Sequence, residues 1–226
     1  FEKNWKKERI GTAYGGEPFM TDQNEVRLVK RAKQGDMHAF EELILQHEKT
    51  VYNVALRMMN HSEDAKDISQ EVFLKAYRNI GNFDERSQFS TWIYRITANT
   101  CIDEMRKRKG RQSFSLEEEL EGEEGSMQRQ VADAGETPEE SMLREEQKSE
   151  ILQALESLSP EHKVAVILRD IKGLSYEEIA EILELTLGTV KSRISRGRNQ
   201  LKQEILKLRE QDAYFIRHKR GKEGRQ

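Results

Sequence analysis

Between Leu174 and Leu201 the chain carries the side chains best suited to grip another molecule. Lys191, Ser192, Arg196 and Asn199, with Arg193 and Arg198 at the margins, share one side of a helical pattern whose other side is Val190, Ile194 and Leu201. Ammonium and guanidinium groups neutralise phosphates, and an arginine fork matches the acceptor edge of guanine, so such a face suits duplex DNA. A second element must hold that face in place. Ser175, with Glu178 three residues on, forms a capping box, and Ile179, Ala180 and Leu183 give the short helix an apolar side. A turn at Glu184-Leu185 follows, and Thr186 caps the basic helix. Helix, tight turn and basic helix are the parts of a helix-turn-helix reader. The competing reading is a solvated basic face on a helical bundle.

A second set of candidates lies upstream. In QFSTWIYRITANTCIDEMRKRK, Arg95, Asn99, Asp103 and Arg106 recur every three or four residues along one face, beside Phe89, Trp92 and Tyr94. Rings stack on unpaired bases while cations hold phosphates, although aromatics at helical spacing also serve as core. The preceding helix, SEDAKDISQEVFLKAYRNI, puts Asp64, Asp67, Gln70, Glu71 and Leu74 along one side and Ile68, Val72, Ala76 and Ile80 on the other. An acidic stripe repels DNA; it is solvated or docks a protein partner.

Composition says how these faces are carried. The 226 residues hold only three prolines, are 35% charged and 35% hydrophobic, and are rich in Glu, Leu, Lys, Ala and Arg. That balance predicts an all-α protein of small modules. The net charge of −3 hides a segregation: acid gathers between Glu117 and Glu146, base at Arg106 to Arg111 and from Lys191 onward. Caps and stops divide the chain into a four-helix module at 22–109, an acidic linker at 110–136, a second four-helix module at 137–209 and a basic tail at 210–226. Within this scheme Asp36 opens a long helix, Ser87 caps the aromatic one, and Thr137-Pro138-Glu139 and Ser159-Pro160-Glu161 start two more. Residues 1–21 read as a disordered leader or fusion remnant, with Met20 as a natural start. The linker reaches ~90 Å fully extended but averages only ~30 Å as a free coil, so it spans a duplex turn only if something holds it out.

Several function classes fall away. The five histidines are scattered, Cys101 stands alone in an apolar-periodic segment as a buried thiol, and there is no phosphate-cradling glycine loop. Neither an enzyme nor a cofactor or metal is expected. No apolar run is long enough to span a membrane, and a cytoplasmic setting fits.

Three motifs in order then carry a resemblance. D-x-x-Q-E-V-F-x-x-A-Y at Asp67 to Tyr77, F-S-T-W-I-Y-R-I at Phe89 to Ile96, and G-T-V-K-S-R-x-x-R-G-R at Gly188 to Arg198 closely resemble those of bacterial extracytoplasmic-function (ECF) sigma factors of the sigma-70 family. The resemblance runs from about Glu25 to Leu206. It implies a factor that binds core RNA polymerase, directs it to promoters and assists melting without being a catalyst. Asp67, Gln70, Glu71 and Leu74 would dock on the clamp helices of the β′ subunit, and the second module on the β flap. Arg95, Asn99, Asp103, Trp92 and Arg106 would face the minus-10 element, and Asn82, Phe83, Asp84 and Ser87 the pocket for an extruded non-template base. Lys191, Ser192, Arg193 and Arg196 would read the minus-35 element, with Thr189 and Arg198 on phosphates. The linker would thread the polymerase, which would hold it extended. An anti-sigma factor, membrane-anchored in many relatives, is a further expected partner, and stress or envelope signals the expected trigger. Glu184 departs from the family's usual turn glycine, and Thr186 from its proline or serine. The alternative function is a helix-turn-helix operator-binding regulator.

Overall fold

The computed structural model describes residues 23–114 and 149–223, with side-chain environments over 23–110 and 149–211. Every regular element among them is a helix. The first unit comprises α1 (Gln23–Lys33), α2 (Met37–Met59), α3 (Ser62–Asn79) and α4 (Phe89–Phe114). The second comprises the helical residues 149–156 (α5), α6 (Pro160–Val166), α7 (Tyr176–Leu183) and α8 (Leu187–Glu223). No helix of the described residues is long and apolar enough to cross a membrane.

Local chemistry sets most of the boundaries. Gly35 (φ 90°) turns the chain between α1 and α2, and Asp36 caps α2 by accepting from the Ala39 amide at 3.1 Å. That amide and the Arg31 guanidinium hold the Asp36 carboxyl below its ordinary range. His61 caps α3, its ring nitrogen accepting from the Asp64 amide at 3.5 Å. Ser87 does not cap α4: its hydroxyl turns back to the Asp84 carbonyl at 3.2 Å. In the second unit Ser159 caps α6 with Pro160 in the first turn, and Ser175 and Glu178 form the expected reciprocal box at 3.1 and 2.6 Å. Between them the helix widens into a π turn over Ile167–Ile171 and stops at Gly173 (φ 74°).

Two helices overrun the predicted segments. α4 continues through Gly110 to Phe114, into the expected linker, and α8 runs to Glu223, through the expected tail. The α8 extension is rich in Lys, Arg, Glu and Gln, which lose little side-chain freedom in a helix, so propagation there outlasts the loss of apolar periodicity, whereas Gly110 and Ser113 give the α4 extension no such support. The helix start at Thr137-Pro138 and the rest of the linker lie outside the described residues.

The core gathers Leu28, Leu43, Val51, Met58, Val72 and Ile93 of the first unit in one continuous cluster with Val164, Ile167, Leu168, Ile179, Val190 and Ile194 of the second. The two units are therefore packed together, α4 lying against α2 and α3 on one side and α6 and α7 on another. A smaller core of Leu155, Leu158 and Val166, with Leu152 and Leu201, joins α5 to α6 and α8. There α8 passes so close to α6 that a Cβ on Gly197 would meet Val166 Cγ2 at 2.7 Å, which explains glycine amid an otherwise basic run. Arg209 clamps the far end of α8 to Glu150 at 2.6 and 3.0 Å.

Candidate nucleic-acid interface

The turn before α8 is a Schellman motif. Leu185 donates to the Ala180 carbonyl at 2.9 Å and Glu184 to that of Glu181 at 3.4 Å, which requires a left-handed residue at Glu184 (φ 53°, ψ 46°). A side chain in that conformation carries about 1 kcal/mol of strain relative to glycine. Thr186 then caps α8, accepting from the Thr189 amide at 3.3 Å, with the two hydroxyls 2.9 Å apart. Thr189 thus belongs to the cap before it belongs to any ligand.

Beyond the cap, Val190 and Ile194 are buried, so the helix presents its opposite side outward. Lys191, Ser192 and Arg196 are exposed there and Arg193 is half-buried. Ser192 donates to the Thr189 carbonyl at 2.8 Å. Arg198 is exposed but forked onto Asp170, with Nε 3.0 Å from Oδ2, so it ties α8 to the π turn. Tyr176 is shared: Arg169 lies 4.7 Å and Lys191 5.8 Å from its ring centre.

On α4 the candidates separate into core and surface. Trp92 and Phe83 are corrections to the sequence reading. At 7% and 4% exposure they are packing residues, with ring centres 5.1 Å apart and Phe89 5.5 and 5.8 Å from them. Asn99 and Asp103 are exposed. Arg95 and Arg106 lie on the same side but are engaged across the units. Arg95 donates to Glu184 at 2.7 Å, and Arg106 to Glu161 at 2.6 and 3.2 Å. Burial pushes the Glu161 carboxyl up, yet Arg106 and local hydrogen bonds outweigh it and hold the group below its ordinary value. Neither Glu161 nor Glu184 was a candidate partner in the sequence; the absence of glycine at the turn was the only signal for Glu184.

The loop before α4 is fixed from beneath. Lys33 on α1 reaches the Phe83 carbonyl and the Glu85 carboxylate, each at 3.0 Å. Asp84, exposed, is drawn down to about 2 by the hydrogen bonds and charge of Arg86. Asn82 is exposed and Ser87 half-buried. A small cleft opens here between Glu25, Val29, Phe83, Glu85, Ser87 and Phe89. Behind it, His47 Nε2 lies 3.4 Å from Glu25 but makes no hydrogen bond.

The acidic stripe of α3 is less uniform than its sequence. Asp64 is tied to Arg108 at 2.6 Å, which lowers its pKa, and Glu71 pairs with Lys75 one turn on at 2.7 Å. Asp67 and Gln70 are exposed, and between the charges Leu74 and Tyr77 stand 55% and 45% exposed. Two large apolar groups amid exposed acids fit a protein partner better than a solvated face. Tyr77 closes the first motif, three residues after Leu74, and shares this exposed face although the sequence reading did not single it out. Cys101 is fully buried, its thiol pushed up to about 12 by burial, and does no surface chemistry.

The family model for sigma-70 region 2 matches residues 43–111, and that for sigma-70 region 4 matches residues 148–201. The chain is 38% identical over 181 residues to the ECF RNA polymerase sigma factor SigW of Bacillus subtilis (strain 168), covering 80% of this chain and 96% of that protein. It is 35% identical over 192 residues to the ECF RNA polymerase sigma-E factor of Escherichia coli (strain K12), covering 84% and 96%. Among solved structures, the sigma factor RpoE of Bartonella quintana, in complex with the anti-sigma factor NepR, matches with a TM-score of 0.55 and 29% identity over 74% of this chain and 96% of that one.

Proposed function

The chain belongs to the extracytoplasmic-function sigma factors of the sigma-70 family, a non-catalytic initiation factor of RNA polymerase, and on that footing we propose how its residues divide the work. Asp67, Gln70, Glu71 and Leu74, with Tyr77 added, dock α3 on the β′ clamp helices. The exposed apolar pair supplies the desolvated centre and the acids supply orientation. Lys191, Ser192, Arg193 and Arg196 read the minus-35 element, the arginines being the groups able to fork onto guanine. Arg95, Asn99, Asp103 and Arg106 meet the minus-10 element. The loop at 82–87 with its cleft accepts an extruded base, offsetting an unstacking cost of a few kcal/mol. The four-helix region of residues 22–109, the linker at 110–136 and the helix-turn-helix region of 137–209 are the functional divisions we assign.

The observation that carries this reading is the separation of three chemically distinct surfaces: acidic-apolar on α3, mixed polar on α4, basic on α8. A conventional operator-binding regulator has no use for the first. An anti-sigma factor is the partner we infer for control, supported by the relative solved with one. The factor then works in the cytoplasm, where polymerase is, or is held at the membrane by that partner. Run-off transcription with purified core polymerase tests the whole assignment. Promoter-specific transcripts are expected only when this chain is added; operator binding without any change in start-site selection overturns it.

A further inference from the structure

We propose that Lys33, the last residue of α1, is a positioning residue for capture of the extruded base: it pins the loop at 82–87 in one shape before DNA arrives. This rests on the assignment of that loop to an extruded base and adds the residue that prepares it.

The loop hangs on Phe83. Its ring is 4% exposed and packs on Phe89 and Trp92, and its amide donates to the Ile80 carbonyl at 3.1 Å. The Phe83 carbonyl accepts from the Lys33 ammonium at 3.0 Å, a bond that joins residues 50 positions apart. Beyond Phe83 the loop closes on itself. The Asp84 carbonyl accepts from the Ser87 amide at 3.1 Å and from the Ser87 hydroxyl at 3.2 Å, and the Asp84 carboxylate accepts from the Arg86 amide at 3.0 Å. Bonds within a turn fix its shape but not its place; the bond to Lys33 ties it to a packed helix. That helix also forms one wall of the cleft, through Glu25 and Val29, while Phe83, Glu85 and Ser87 form the other. Lys33 therefore sets how the two walls face each other.

The same ammonium balances charge. It meets the Glu85 carboxylate at 3.0 Å, and Asp84, lowered chiefly by the hydrogen bonds of Arg86, feels Lys33 as well. A loop with two bare carboxylates would repel the phosphates that flank an extruded base, and Lys33 and Arg86 cancel them. With its side chain 25% exposed, Lys33 makes a charge-assisted hydrogen bond partly shielded from water. A loop ordered in advance removes an ordering cost from the capture step.

The test uses holoenzyme reconstituted from the full chain and purified core polymerase. A promoter that yields run-off transcripts is prepared as a fork, duplex through the minus-35 element and single-stranded, non-template strand only, through the minus-10 element. Further forks carry one abasic non-template position each. Wild-type holoenzyme is expected to lose about tenfold in affinity at one abasic position, where the base is captured. Lys33→Met is expected to bind the intact fork about tenfold more weakly, to lose nothing more at that position, and to capture core polymerase as the wild type does. Lys33→Arg, which keeps the charge and the donors, should stay within about threefold of the wild type. Lys30→Met, the same charge change at an exposed position of α1, should match it. Wild-type affinity of Lys33→Met for the intact fork overturns the proposal. So does a loss that adds in full to the abasic loss at every position, as a general weakening of the fold would give. If no abasic position weakens the wild type, the assignment of the loop itself fails, and the proposal falls with it.

Discussion

α4 and α8 carry the same kinds of side chain, yet one surface is covered and the other is bare. Arg95 and Arg106 on α4 are each held by a carboxylate of the second unit, whereas Lys191, Ser192 and Arg196 on α8 face solvent. The difference is one of position. α8 packs one stripe inward and leaves its basic side at the outer surface, while α4 lies between two layers, with Ile93, Ala98, Cys101 and Ile102 buried on several sides. Availability of a cation is set by what lies across from it, which no property of its own helix records.

The comparison breaks most violently at Gly197. Gly197→Val forces a branched side chain into Val166 and His162, against backbone as well as side chain. We expect loss of about 1–3 kcal/mol or outright unfolding of the second unit, seen as a split thermal transition in which α1–α4 persist. Next is Arg196→Ala. Transcription from promoters that depend on the upstream element should fall about tenfold, the value of one bidentate contact, while capture of core polymerase is unchanged.

Lys163→Met addresses the covered side. Removing a desolvated amine from between the packed units should strengthen their packing by about 1 kcal/mol, measured as slower labelling of the buried Cys101 by N-ethylmaleimide and a smaller radius in solution scattering. The wild type should also tighten as pH rises. Burial holds the Lys163 amine below its ordinary 10.5, so a form with the units apart binds the extra proton, and the packed form gains as pH climbs from the depressed value toward 10.5. The Cys101 thiol opposes this above its ordinary 9.0 if opening exposes it, because burial raises it to about 12. Lys163→Met should therefore retain only the opposing trend. The smallest effect belongs to Glu184→Gly. Relief of a left-handed residue and loss of a solvent-exposed ion pair nearly cancel, so the melting temperature should move little, by the equivalent of about 1 kcal/mol or less, while Cys101 labelling quickens.

What could be read from the sequence was what neighbours in sequence decide. The Asp36 cap, the Ser175-Glu178 box and the Ser159-Pro160 start follow from residues within five positions of one another, and all are present. The motifs located the α3, α4 and α8 surfaces for the same reason. What could not be read depended on distant partners. Trp92 could be read as a base-stacking ring or as core, and Phe83 as part of a base pocket, because nothing nearby shows that each packs on the other. Arg198 looked free until Asp170 lay beside it, and α8 outlasts the apolar periodicity that marks its end in the sequence.

The separation of Arg95 from Glu184 along the chain, 89 residues, also has a meaning in time. At translation rates of ~5–20 residues per second, α4 leaves the ribosome ~4–18 s before the carboxylate that covers it. α3 and its docking surface emerge earlier still. Every new molecule thus passes through an uncovered youth, with its acidic-apolar helix already made and its two arginines still waiting for the glutamates that will cover them.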